Sequence, residues 1–116
     1  MIEAIRLWHV TVTVSGEPLE PLIVRNGLRR LSDQRPFLHS LKYDAGRAEI
    51  QYCEEAESLL DASSLALRVW NEHRDSAGLP RWEVVGLEVL ERHVYLDRGT
   101  EYASVVDLHD VTPLPF

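Results

Sequence analysis

The chain has 116 residues, 45% of them apolar and 27% charged, with 19 Asp and Glu against 12 Lys and Arg for a net charge of -7. That length fits one domain and that composition fills one core, while the negative balance opposes nucleic acid and anionic membranes, whose binding draws on positive charge. The lone Cys53 excludes an intrachain disulfide and any cysteine-rich zinc or iron–sulfur site; with no basic-then-apolar leader and no apolar run near the ~20 residues that cross a bilayer, the chain reads as cytoplasmic.

A first strand is expected over Ile5 to Val14, with Trp8, Val10, Val12 and Val14 on a buried face and Leu7, His9, Thr11 and Thr13 on the other. Ser15-Gly16-Glu17-Pro18 turns the chain, with Pro18 suited to a helix's first position and Pro21 tolerable in that first turn. The helix runs from Leu19 to Asp33. Ile23, Val24, Gly27, Leu28 and Leu31 share its apolar arc, and Arg25, Asn26, Arg29 and Arg30 lie opposite. Gly27 inside the arc predicts a close approach to the sheet or a neighbour. Arg35-Pro36 ends the helix, and a second strand covers Phe37 to Tyr43. After the turn Asp44-Ala45-Gly46, a third strand runs from Arg47 to Cys53. The register that gathers apolar residues pairs Tyr43 with Ala48, Leu41 with Ile50 and His39 with Tyr52.

Glu54, Glu55, Glu57 and Asp61 crowd the start of a second helix, where negative charge complements the helix dipole, with Ser58 or Asp61 as N-cap. Ala77-Gly78-Leu79-Pro80 is its stop. Its inward arc is read as Leu59, Ser63, Ala66, Leu67, Trp70 and Ala77, with Leu65 and Val69 on the far side. A fourth strand spans Trp82 to Glu91, with Trp82 as a lid on the core. Val85, Leu87 and Val89 alternate there with Val84, Gly86, Glu88 and Leu90. Beyond it, Arg92 to Arg98 reads as a short helix stopped by Gly99, Ala103 to Leu108 as an extra edge strand, and Thr112 to Phe116 as extended or loose.

The order β-α-β-β-α-β resembles the ferredoxin-like α+β fold. It implies a four-stranded antiparallel sheet with two helices on one face, over residues 1–92, and a C-terminal extension over 93–116. The usual strand order of that fold, 4-1-3-2, leaves the face away from the helices open. Leu7, His9, Thr11 and Thr13 would lie there beside Glu49, Gln51 and Cys53, flanked by Val84, Gly86, Glu88 and Leu90. Such a mixed face calls for a cover: a second subunit, the C-terminal tail or a ligand.

His9, on a central strand with Glu49, Glu88 or Cys53 as neighbours, is the first candidate for acid–base work. His39 with Tyr43 and Tyr52 would line a pocket. Arg25, Arg29, Arg30 and Arg35 form a basic row that suits an anionic ligand or an acidic partner, with Arg25 and Arg29 as its ligand-binding candidates. His73 and Arg74 suit the C-terminal end of the second helix dipole. Carboxylates near Cys53 should raise its pKa and keep the thiol inert. His93 and His109 with Asp97, Asp107 and Asp110 show no recognised ligand spacing, so neither metal nor cofactor is expected. Phosphate-binding Gly loops, nucleophile elbows, HExxH, paired CxxC, RNP-type aromatics and an acylphosphatase-like loop do not occur in the sequence. Two functions fit. One is a non-catalytic binding or protein-interaction module, homodimeric through the open sheet face or the second helix, with a protein or small molecule as further partner. The other is a small enzyme resembling dimeric α/β-barrel proteins, with His9 or His39 as acid/base in a sheet-face pocket.

Overall fold

The computed structural model describes residues 6–35, 38–97 and 112–116. Its elements are β1 (Arg6–Ser15), α1 (Pro21–Gln34), β2 (Leu38–Tyr43), β3 (Arg47–Ala56), α2 (Leu59–His73), β4 (Glu83–Glu91), α3 (Arg92–Asp97) and β5 (Leu114–Pro115). The sheet order is β4-β1-β3-β2-β5. Its first four strands keep the expected antiparallel 4-1-3-2 arrangement. The sheet has five strands rather than four, because the C-terminal residues add a short parallel strand beside β2. There the Phe116 amide donates to the Tyr43 carbonyl at 3.0 Å, and the Arg47 guanidinium lies 4.2 Å above the Phe116 ring. The expected edge strand over Ala103 to Leu108 falls outside the described residues. The expected helix after β4 is present as α3.

α1 starts at Pro21, not near Pro18. Backbone bonds explain the delay, since the Gly16 amide donates to Gly46 O and the Leu19 amide to Ala45 O. The loop is thereby tied to the β2–β3 turn, and the helix begins only after it. Val24, Gly27, Leu28 and Leu31 are buried as expected, whereas Ile23 is exposed. Gly27 meets the turn after α2: a Cβ there would lie 3.3 Å from both Gly78 O and the Leu79 side chain. Gly78 takes a positive φ of 66°, which a residue without Cβ adopts freely.

α2 is capped by Ser58, whose hydroxyl accepts from the Asp61 amide at 3.1 Å. Its buried face is Ala62, Ala66, Val69 and Trp70, so the helix is rotated from the arc read in the sequence. Leu59 and Leu67, expected inside, are exposed, and Val69, expected outside, is buried. The reason is size. Two alanines let the backbone sit close to the sheet, and Trp70 fills the remaining volume with its indole N–H on the Trp82 carbonyl at 3.0 Å.

Two β-bulges shift the expected faces. In β2 the register slips between Leu38 and Ser40, so Leu38, not His39, stands opposite Tyr52. In β4 it slips opposite Thr13 and Val14, which sets Val84 across from Val14. Val84 therefore joins the helix-side core instead of the open face, and Val85 is pushed out to 61% exposure. Each bulge inserts one residue, and each re-aims a side chain.

Candidate functional site under the third short helix

The bulge in β2 creates the main polar cluster on the open face. His39 is the inserted residue, and its imidazole Nε2 lies 3.1 Å from Cys53 Sγ. Cys53 in turn is the cross-strand neighbour of His9 on β1. His9 is a buried polar residue at 1% exposure even though it faces away from α1 and α2. Its cover is Tyr95 of α3, whose ring stacks on the imidazole with centroids 3.4 Å apart and planes 10° apart. On its other side His9 stacks against His39 at 5.9 Å. The column Tyr95–His9–His39 and the thiol below it thus come from four elements. Of the three covers considered for this face, the C-terminal extension supplies the one seen here.

Burial disfavours charge on the His39–Cys53 pair. Burial, and then the charge of Arg92, push the His39 pKa below its ordinary value. Burial pushes the Cys53 thiol up, partly offset by Arg92. The cause differs from the expected one, since desolvation and not the neighbouring carboxylates acts on the thiol. The pair is a neutral imidazole against a neutral thiol, unlike the ion pair of an activated nucleophile. His39 Nδ1 has no hydrogen-bond partner among the described residues.

The other expected site residues scatter. Glu49 pairs across the sheet with Thr13 and holds the Gln51 amide at 2.8 Å, well along the strand from His9. Glu88 stands opposite Thr11, diagonal to His9. Tyr43 and Tyr52 lie in the helix-side core, on the opposite face from His39, so the expected His39–Tyr43–Tyr52 pocket does not form. Tyr52 has its phenol pKa raised strongly by burial and by Glu54, with Arg35 opposing.

The basic row of α1 is divided. Arg25 and Arg29 stay at the helix surface, half-buried and exposed respectively. Arg30 donates to the Ala77 carbonyl, and Arg35 donates to His73 Nε2 at 3.1 Å. Because an arginine only donates, His73 Nε2 must accept. Its Nδ1–H then donates to Gln34 Oε1 at 3.0 Å. His73 is therefore a neutral bridge between the two helix ends rather than a cation on the α2 dipole. Burial and Arg35 lower its pKa, with Glu72 opposing. The sign follows: the unfolded chain binds this proton near the ordinary value of 6.5, and the folded chain resists it. The stability His73 contributes is whole above that value and is lost as pH falls through it. We expect the thermal midpoint of His73→Gln to fall less between about pH 7 and about pH 5 than that of the native chain, by roughly 1–2 °C given the exposure of the group. Parallel melts of the two proteins check this.

Elsewhere, Glu55, Ala56, Glu57, Asp61, Ser64, Leu65 and Arg68 line a shallow groove of about 420 Å³ where β3 hands over to α2. Arg68 there is paired with Glu72 at 2.7 Å, one helical turn on. Among the described residues no group of three or more His, Cys, Asp or Glu is placed to hold a metal ion, and no helix is long and apolar enough to cross a membrane. His109, Asp107 and Asp110 fall outside the described residues. Sequence reasoning missed Tyr95 and Arg92 as parts of the cluster. The one signal for Tyr95 was an aromatic residue between Val94 and Leu96 in a short stub after β4.

Comparison with known proteins adds a family and two distant folds. No curated protein matches the chain. Among solved structures, an acylphosphatase from Coxiella burnetii is 17% identical over 96% of this chain and 94% of its own, with a TM-score of 0.39. An acylphosphatase from Bacillus subtilis is also 17% identical, over 94% of this chain and 98% of its own, with a TM-score of 0.38. A domain of unknown function, DUF8830, matches over residues 7–105, which take in both long helices, and the chain belongs to that family.

Proposed function

We propose that this domain is a non-catalytic interaction module that works as a homodimer joined through α2. The observation that carries the reading is the leucine flank of that helix. Leu59, Leu60 and Leu67 fall within one side of the helix by its 100° step, and all three are exposed, Leu60 at 74%. Leu65 lies on the other flank, in the groove shared with Glu55 and Ala56 of β3. The leucine flank therefore looks toward the outer side of β4, onto which α2 packs. Exposed Val85 and partly covered Leu87 of β4 extend it. A row of this kind exceeds what a solvated helix needs, and burying it against a second copy removes apolar surface from water on both sides.

In this reading His9, His39 and Cys53 hold α3 in place and do no chemistry, in keeping with the buried setting of His9 and with the burial that disfavours charge on His39 and Cys53. The test is light scattering across a concentration series, on the native chain and on the double variant Leu60→Lys, Leu67→Lys. Both positions are exposed, so the monomer should fold unchanged. The native chain is expected at twice the chain mass. The variant should raise the dissociation constant by about 100-fold or more, as loss of two central apolar contacts does. A native chain that stays monomeric throughout the series refutes the proposal.

A further inference from the structure

We propose that α3 is a pH-sensitive latch on the open face of the sheet, held shut until His39 takes up a proton. The inference is independent of the dimer. α3 has six residues and none of them is buried, and a helix that short does not persist on its own contacts. What fastens it is the Tyr95 ring on the buried imidazole of His9. Opening it would uncover His9, His39 and Cys53 together.

The groups that face His39 come from every neighbouring element. β1 supplies His9, at 5.9 Å between ring centroids. β3 supplies the Cys53 thiol, in contact at 3.1 Å. Glu55 follows two residues further on the same face of β3, paired across to Leu7. β4 supplies Leu90 opposite His9, and Glu88 two pairs along the ladder. Lys42 lies beyond Ser40 on β2, paired with Glu49. α3 itself brings Tyr95 and the guanidinium of Arg92, and Arg92 is the charge that acts on His39. His93, at the β4–α3 junction, lies 3.5 Å from Glu91 and is well exposed.

A proton on His39 therefore sets a second positive charge against Arg92 in a half-buried place, with the His9 ring stacked beside it. Releasing α3 carries Arg92 away and returns the imidazole to water. The open state binds the proton more readily than the closed one, so falling pH drives opening. Each unit by which the two states differ in pKa is worth about tenfold in the opening equilibrium.

Amide hydrogen exchange of residues 92–97, corrected for the intrinsic pH dependence, measures this at about pH 7.5 and about pH 5. In the native chain the exchange of α3 should rise roughly fivefold or more at the lower pH, while β3 and α1 stay protected. His39→Gln, which cannot take the proton, should hold the change within about twofold. Arg92→Gln removes only the repelling neighbour and should shrink the rise, which keeps the test decisive if His39→Gln loosens α3 at both pH values. An unchanged native chain, a rise undiminished in both variants, or loosening of α3 together with β3 overturns the latch.

Discussion

Replacing Trp70 by alanine is expected to lower the thermal midpoint by about 12–20 °C. Trp70 is fully buried in the face that α2 turns to the sheet. Truncating a buried Trp removes its transfer energy and leaves a cavity, together about 3–5 kcal/mol. At this chain length each kcal/mol shifts the midpoint by roughly 4 °C. The loss has a polar part as well, because the Trp70 indole N–H donates to the Trp82 carbonyl. Trp70→Phe keeps most of the volume and drops that bond, so it should cost about 1 kcal/mol for the bond plus a small packing loss. Thermal and urea melts followed by circular dichroism separate the two contributions. If Trp70→Ala melts within a few degrees of the native chain, the helix does not pack on this residue as described.

Gly16→Ala should be nearly as damaging, for a reason of space. A Cβ at position 16 would lie 2.2 Å from Cδ1 and 2.9 Å from Cγ of Trp82. Neither partner can give way cheaply. The Trp82 ring is buried and its N–H is fixed on the Glu17 carbonyl at 3.0 Å, while the Gly16 amide is bonded to Gly46 O at 3.1 Å. Overpacking of this kind costs about 1–3 kcal/mol and more where the neighbour is rigid, and we expect about 3 kcal/mol here. The sequence reading of Trp82 as a lid explains the coupling, since the lid closes directly on the β1–α1 turn. A double-mutant cycle with Trp82→Ala checks it: Gly16→Ala should become nearly neutral once the side chain beyond Cβ is gone. An equal cost in both backgrounds would place the strain elsewhere.

The order of elements was legible because period-two and helical stretches alternate cleanly and Gly or Pro separates most of them. The pairing of β2 with β3 near their turn was legible too, since Tyr43–Ala48 and Leu41–Ile50 gather apolar residues on one face. The bulge at His39 was not, because an inserted residue is invisible to a rule that counts by two. Its trace was the three-residue spacing of Leu38 and Leu41, which cannot both point inward on a regular strand. The phase of α2 was misread for a different reason. Leucine outweighs alanine in hydropathy, yet Ala62 and Ala66 permit the close approach that decides which side faces the sheet. At the site, His9 and Cys53 were placed on the right face by alternation alone. Tyr95 was not, because its position depends on how the chain reverses after β4, and no local pattern encodes that.

The two edges of the sheet are closed by different means, and that bears on how far the protein can associate. At one edge β5 pairs with the Lys42–Tyr43 end of β2. At the other, β4 is kinked by its bulge and carries Glu83, Glu88 and Glu91, features that discourage a further strand from adding. Association that cannot run from sheet to sheet lacks the edge-strand route to a filament. A self-complementary contact through one helix flank, by contrast, is used up when two copies meet. If the proposed dimer forms in this way, assembly would stop at two copies even at high concentration.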